Sequence, residues 1–274
     1  MSTVLVTGCS SGFGEALALA FAKQGDNVIA TMRRPEAAPV SLRNLVTERS
    51  SAVKIAALDV NDADARHRAV DLAVSTFGRL DILVNCAGVG ASGSLEDMPT
   101  DTLNTVFATN FFGALELMRL ALPIMRKQGV GRIINITSVA SLFSTPFMSA
   151  YSASKQALDA ASIALDIESR SFGVRVAAIV AGPFKTHLPA KSLDVPPSGP
   201  YAAIHSHFKG VFVELEKHAA EDLSPLVKTV LAAARDADPL LRYVVGTDGI
   251  PFIPGLLKAL EPEQSFGLRL TGQK

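Results

Sequence analysis

Apolar and polar positions follow two different periods along this chain. Short runs of β-branched and aliphatic residues, at Thr3–Thr7, Asn27–Thr31, Val53–Leu58, Asp81–Asn85, Arg132–Thr137, Val174–Val180 and Arg242–Val245, are apolar at nearly every position. A strand with one face in water would alternate, so these runs predict strands covered on both faces. Longer stretches with apolar residues at helical spacing lie between them: Phe13–Gln24, Asp62–Phe77, Asp101–Lys127, Ser149–Phe172 and Pro225–Arg235. Glycine follows Gln24, Phe77, Gln128 and Phe172, where a helix end accepts a left-handed residue. Strands and helices in turn predict an α/β fold of Rossmann type, a doubly wound, seven-stranded parallel sheet with helices on both faces. The stretch from Pro183 to about Ala220 breaks the rhythm and is rich in Pro, Gly, His and Phe. A connection of that length predicts a functional lid or an excursion carrying small helices.

Composition narrows the picture. No linker, charge run or repeat divides the 274 residues, so a single domain over 1–274 with a substrate-binding lid at about 183–220 is expected. The 26 basic and 26 acidic side chains cancel, which argues against general attraction to nucleic acid or to an anionic membrane. Cys9 and Cys86 stand in neither a disulfide nor a zinc spacing, and with no secretory signal visible a reducing cytoplasm is expected. The most apolar long stretch, Val106 to Met125, holds Asn110, Glu116 and Arg119, which lipid would penalise, so it reads as a core helix. His187, His205, His207 and His218 lack a coherent ligand pattern and read as surface or pocket-lining residues rather than metal ligands.

Chemistry enters with Thr7-Gly8-Cys9-Ser10-Ser11-Gly12-Phe13-Gly14, between the first strand and the first helix. Glycine there permits a tight turn and lets a pyrophosphate approach backbone N–H groups at the helix N-terminus; the alternative is a merely flexible turn. In this arrangement an acid after the second strand binds a ribose 2′-hydroxyl, whereas arginine accommodates a 2′-phosphate. This chain has Arg33 and Arg34 at that place and no acid. Unless both are simply solvated, they predict NADP(H) in preference to NAD(H). Asp59, followed by Val60, could accept from the adenine amino group or could open the next helix, although Asn61 or Asp62 would cap it better. The small residues of Asn85-Cys86-Ala87-Gly88 would let the backbone pass close to a cofactor.

Tyr151 and Lys155 stand four apart in a helical stretch, thirteen residues after Ser138 at the end of an apolar run. That spacing puts both side chains on one helix face. A phenol, with an ordinary pKa of about 10, needs a nearby cation before it can exchange protons near neutrality, and lowering it to about 7 takes roughly 4 kcal/mol. Lys155 is the candidate cation, and the Ser138 hydroxyl could hold a carbonyl or alcohol oxygen beside the phenol.

With these residues assembled, the chain resembles the short-chain dehydrogenase/reductase family, in the subgroup marked by T-G-x-x-x-G-x-G and Y-x-x-x-K. Thr7 to Gly14 match its glycine motif, with Ser10, Ser11 and Phe13 inside it, and Asp59 matches its adenine-contacting acid. Asn85, Ala87 and Gly88 match three positions of N-N-A-G; Asn110, Ser138, Tyr151 and Lys155 match the catalytic tetrad in order and spacing. The resemblance implies reversible hydride transfer between a nicotinamide cofactor and a small-molecule alcohol or carbonyl. It gives Tyr151 the acid/base role, Ser138 the orientation of substrate oxygen, Lys155 the nicotinamide ribose and a lowered Tyr pKa, and Asn110 a water in a proton relay. It also implies a homodimer or homotetramer. Cys86 replaces the second Asn of N-N-A-G, and Ala181-Gly182 stands where the family has Pro-Gly; Gly182 and Thr186 still match positions bordering the nicotinamide. Arg33 and Arg34, the run Arg242 to Gly246 and the extended C-terminus look like the hydroxysteroid and retinol dehydrogenase-like branch.

Two other readings compete. One is a non-catalytic NADP-sensing or scaffold protein on the same fold, which would gain nothing evident from an intact tetrad. The other, an epimerase or dehydratase, would more often carry G-x-x-G-x-x-G. A bulky apolar substrate is expected from Phe143, Phe147 and Met148 together with Phe184, Leu188, Leu193, Val195, Tyr201, Ile204, Phe208, Val211 and Phe212 of the lid. The same side chains could instead pack the lid's own helices or a subunit contact.

Overall fold

A computed structural model describes residues 1–186, 188, 192–217, 219–247 and 253–260. In chain order the elements are β1 (Thr3–Val6), α1 (Gly12–Lys23), β2 (Asn27–Met32), α2 (Val40–Glu48), β3 (Val53–Ala57), α3 (Ala63–Phe77), β4 (Ile82–Asn85) and β5 (Ala91–Ser92). There follow α4 (Thr100–Phe107), α5 (Gly113–Gln128), β6 (Gly131–Ile136), α6 (Ser149–Ser169), β7 (Val174–Ala181), β8 (Leu193–Asp194), α7 (Ala202–Lys217), α8 (Ser224–Arg235), β9 (Arg242–Val245) and α9 (Ile253–Leu260).

Seven strands form one parallel sheet in the order β3-β2-β1-β4-β6-β7-β9, as the continuous apolar runs predict. Successive residues of each strand face opposite sides, and both sides are covered. Val4, Val6, Val28, Ala30, Ile134 and Ile179 pack against Leu17, Phe21, Leu42 and Val230 from α1, α2 and α8. Leu5, Ile29, Leu83, Ile133 and Val176 pack on the other side against Val70, Leu117, Met118 and Leu158 from α3, α5 and α6. Successive strands run outward from β1 in one direction (β2, β3), whereas β4 pairs on its opposite edge. The chain therefore leaves β1 and β4 toward opposite faces and opens a crevice at their C-terminal ends, the place where such sheets bind ligands.

Local signals explain the helix ends nearest that crevice. Asp62 caps α3 by accepting from Ala65 N at 3.0 Å, which leaves Asp59 outside the cap. Left-handed glycines close α3, α5 and the short turn after α6, at Gly78, Gly129 and Gly173. The stretch Thr100–Gln128 is continuous, as expected, but α4 and α5 are joined by a π-helical turn, Ala108–Phe112, containing Asn110. By length and composition this helix could cross a membrane; here Leu117, Met118, Ala121 and Met125 are buried on the sheet.

The lid is tethered at its base and its middle. At the base Lys185 N donates to Ala220 O (2.9 Å) and Ala220 N to Pro183 O (3.1 Å). In the middle β8 pairs with β5 in parallel, Ser198 N donates to the Asp97 carboxylate at 2.9 Å, and the Tyr201 hydroxyl donates to Glu96. Two expectations for the apolar wall are corrected. Phe184, at the lid's tethered base, is a core residue, its ring 5.3 Å from that of Phe13 and packed over Gly246. Ile204 is 62% exposed and faces solvent from the outer side of α7. His187 and His218 lie outside the described residues, as do the side chains of Val211 and Phe212.

Candidate active site

A cleft of about 420 Å³ opens at the C-terminal ends of β1, β2, β3 and β4. Gly8, Ser10, Ser11, Gly12, Phe13 and Gly14 line it from the turn before α1, Arg33 from the end of β2, and Asp59 and Val60 from the end of β3. Ala87 and Gly88 come from the turn after β4, Tyr151 and Lys155 from α6, and Thr186 from the base of the lid. Fourteen residues from six separate segments of sequence thus meet in one cleft.

The turn before α1 is built by close approaches that only glycine allows. Gly8 has φ +76°, and a Cβ there would stand 2.9 Å from Ala87 Cα; at Gly14 it would stand 2.4 Å from Gly8 O. Thr7 holds the opposite wall, its hydroxyl accepting from Cys86 N (2.9 Å) and Ala87 N (3.0 Å). Ser11, extended, gives α1 no side-chain cap, and the first N–H groups of a helix have no intrahelical partner. At Gly12 an added Cβ would lie 3.6 Å from Thr186 Cβ, narrowing the cleft between turn and lid. A cradle of backbone donors with Arg33 at its rim fits the phosphates of a dinucleotide.

Four expected contacts lie away from this cleft or reach it indirectly. Arg34 is exposed beside Arg33 without lining the cleft. Asn85 points into the sheet: buried, its Nδ2 donates to Asn135 Oδ1 at 2.8 Å, and Asn135 Nδ2 donates to Ser162 Oγ at 2.7 Å. This chain of amides ties β4 to β6 and α6, so the tie that Cys86 gives up is supplied one residue earlier. Gly182 sits against β9, its N donating to Val245 O at 2.8 Å, and a Cβ there would stand 1.8 Å from Gly246 O. That glycine is required by strand packing. Asn110 lies behind the cleft, in the π turn. Its Oδ1 accepts from Val89 N (2.8 Å), and its Nδ2 donates to Val89 O (2.9 Å) and Ser154 Oγ (3.0 Å). Both amide hydrogens are committed, so Asn110 clamps the Gly88–Val89 backbone onto α6.

Tyr151 and Lys155 are both buried on the inner face of α6, as the i, i+4 spacing predicts. Ser138, at the turn after β6, accepts from Ala140 N at 3.2 Å and stands close enough to act on the Tyr151 phenol. Lys155 Nζ donates to Ile136 O at 2.9 Å and lies 5.9 Å from the Tyr151 ring centre. Burial pushes the Tyr151 phenol above its ordinary value while the Ser138 hydrogen bond opposes that rise. Burial pushes the Lys155 ammonium down to about 8, partly offset by the Cys86 thiol. Among the chain's own groups burial dominates the phenol, so the lowering expected for Tyr151 calls for the Lys155 ammonium together with the positive nicotinamide ring of the oxidised complex. Leu58, Asn61, Val89, Thr105, Thr109 and Thr137 also line the cleft. Thr105 lies on α4 and Thr109 in the π turn, the others in turns beyond strand ends, and no cofactor motif marked them.

Comparison with known proteins gives a consistent picture. Residues 2–195 match the family model described as short chain dehydrogenase. The chain is 37% identical over 249 residues to the uncharacterized oxidoreductase YusZ of Bacillus subtilis, 88% of each chain being covered. It is 30% identical to retinol dehydrogenase 8 of Bos taurus, covering 98% of this chain and 88% of the relative. Among solved structures, a short-chain dehydrogenase from Streptomyces avermitilis superposes with a TM-score of 0.83 at 32% identity, covering 98% of this chain and 97% of the other. The structure of ElxO with NADP bound superposes at 0.64 with 32% identity, covering 68% and 75% respectively.

Proposed function

The chain belongs to the short-chain dehydrogenase family, and from that premise we propose that it interconverts a carbonyl and a secondary alcohol of a bulky, largely apolar molecule, with NADP(H) preferred over NAD(H). One observation carries this reading: Tyr151, one helical turn before Lys155 and beside Ser138, is buried in the same cleft that the glycine turn lines.

The cofactor, when bound, supplies or accepts the hydride at its nicotinamide ring. The chain's residues do the rest. Backbone N–H groups at the start of α1 would hold the pyrophosphate, Asp59 would accept from the adenine, and Arg33 would pair with a 2′-phosphate. Ser138 Oγ and Tyr151 Oη converge on the substrate oxygen, and in reduction the phenol gives its proton to that oxygen as negative charge develops there. Lys155 would hold the nicotinamide ribose, and Asn110 fixes the Gly88–Val89 backbone that lines the same cleft. Leu188 and Leu193, which line the cleft from the lid, support an apolar substrate, as does the similarity to a retinol dehydrogenase.

The test is steady-state turnover of aryl ketones, steroids, retinoids, short keto acids and sugars, followed at the NADPH absorbance band. The expected result is a higher kcat/KM for apolar ketones and for NADPH over NADH, with Arg33→Asp weakening NADPH far more than NADH because a phosphate contact becomes a repulsion. Preference for sugars or keto acids would overturn the substrate assignment, preference for NADH the cofactor assignment, and no turnover the enzyme itself.

A further inference from the structure

Tyr151 is the third residue of α6, in a first turn that lacks the usual local support. Met148, at the head of the helix, gives no side-chain cap. The first N–H groups of a helix have no intrahelical partner, so such a turn frays unless something outside the helix fixes it. The anchor lies one residue further back. Phe147 has φ +60°, the one positive φ at a non-glycine residue among those described, and a strained residue persists only where its surroundings over-determine it. Two parts of the lid assembly do so. Gly93 N donates to the Phe147 carbonyl at 2.8 Å, and Gly93 is itself wedged against the lid, where an added Cβ would stand 2.8 Å from Val195 Cβ. From the other side the Phe147 ring meets α7, its centre 4.9 Å from that of the His205 imidazole and 5.4 Å from that of Phe208. His205 is buried and Phe208 half-buried, whereas every other described side chain of α7 is exposed. Among the described residues, then, the lid helix docks through these two rings, and Phe147 is what they dock on.

We propose that Phe147 is a positioning residue for Tyr151: docking of α7 on its ring holds the left-handed backbone, and that backbone fixes the first turn of α6 and the phenol with it. This rests on the reading of Tyr151 as the acid/base. Phe147 does not line the cleft and acts only through the turn that follows it. With α7 undocked, Phe147 loses the contact that offsets its strain and returns to a negative φ. A changed φ just before Met148 redirects the chain entering α6, and Tyr151 sits within one turn of that point. The phenol is therefore in place when the lid helix is docked and out of place when it is not, so that closure completes the catalytic arrangement.

The test reads position and rate separately. Tyrosine occurs only at Tyr151, Tyr201 and Tyr243, so fluorine NMR of the full chain labelled with meta-fluorotyrosine resolves Tyr151, whose line Tyr151→Phe assigns. In wild type that line is expected to be single and narrow. Phe208→Ala, which removes the grip from the lid side, and Phe147→Ala, which keeps the strain without the ring, should broaden it or split it in two while the Tyr243 line stays unchanged. With NADPH saturating and a ketone too small to reach α7, both alanine variants are expected to lose at least about tenfold in kcat, with KM and NADPH affinity within about twofold of wild type. Phe147→Tyr, which keeps the ring, should keep kcat near wild type. The proposal is overturned by a Tyr151 line as narrow in both alanine variants as in wild type, or by full kcat in those variants while Tyr151→Phe is inactive. Full turnover by Tyr151→Phe itself would contradict the acid/base reading, and the fluorine line would still decide whether Phe147 places that residue.

Discussion

At the scale of single residues, the site is governed by burial more than by charge pairing. Tyr151 and Lys155 were placed by a spacing of four on one helix, and they do share a cleft, but desolvation moves both toward their neutral forms. The consequence for Lys155 can be measured. Its folded pKa of about 8 lies below the ordinary 10.5, so between those values the unfolded chain binds a proton that the folded chain has released. Stability contributed by this group therefore rises with pH across the window, and below about pH 8 the folded state carries the whole burial penalty. Lys155→Met is expected to be more stable than wild type near about pH 7 and to lose up to about 3 kcal/mol of that advantage toward about pH 10. Denaturant unfolding at several pH values reads this directly, and a difference that does not change with pH would contradict it. Asn110 illustrates a limit of the same reading: the residue is where the tetrad spacing puts it, yet its amide is engaged with Val89 and Ser154, which no motif discloses.

At the scale of elements, what was legible in the sequence had a local cause. All seven sheet strands were visible because a doubly covered strand is apolar at both parities, and Gly78, Gly129 and Gly173 ended helices because the left-handed region nearly demands glycine. Two helices, α2 and α9, fall outside the predicted segments: at nine and eight residues each has too few turns for an apolar period to stand out. The pairing of β5 with β8 spans two residues on each side, too short for any pattern. Asn85 and Gly182 face the sheet and Phe184 the core because the direction each takes at or just beyond its strand depends on neighbours remote in sequence. The glycine turn separates two kinds of requirement. At Gly14 a Cβ would meet Gly8 O at 2.4 Å, whereas at Gly12 it would meet nothing closer than 3.6 Å. Gly14→Ala must push α1 off the sheet and is expected to destabilise by about 2–3 kcal/mol, in the range of overpacking. Gly12→Ala bears only the left-handed strain, about 1–2 kcal/mol, yet should weaken NADPH binding at least as much, because its methyl group enters the cleft. Thermal unfolding and NADPH titration of the two variants check this, and equal destabilisation would count against it.

At the scale of the whole molecule, the strand order β3-β2-β1-β4-β6-β7-β9 brings the cofactor turn, the tetrad and the lid to one edge of the sheet. The lid is tied to the core at Ala220 and to the β5 loop at Ser198 and Tyr201, so it covers the cleft from fixed points. These parts converge on one claim, that Tyr151 exchanges the proton while NADP(H) exchanges the hydride. The rate of NADPH consumption with a saturating apolar ketone, compared between wild type and Tyr151→Phe at matched cofactor saturation, tests it most directly. The phenylalanine retains the ring and its packing but has no proton to give, so kcat is expected to fall at least about 10²-fold while NADPH affinity stays nearly unchanged. A Tyr151→Phe enzyme turning over at a rate close to wild type would contradict the account.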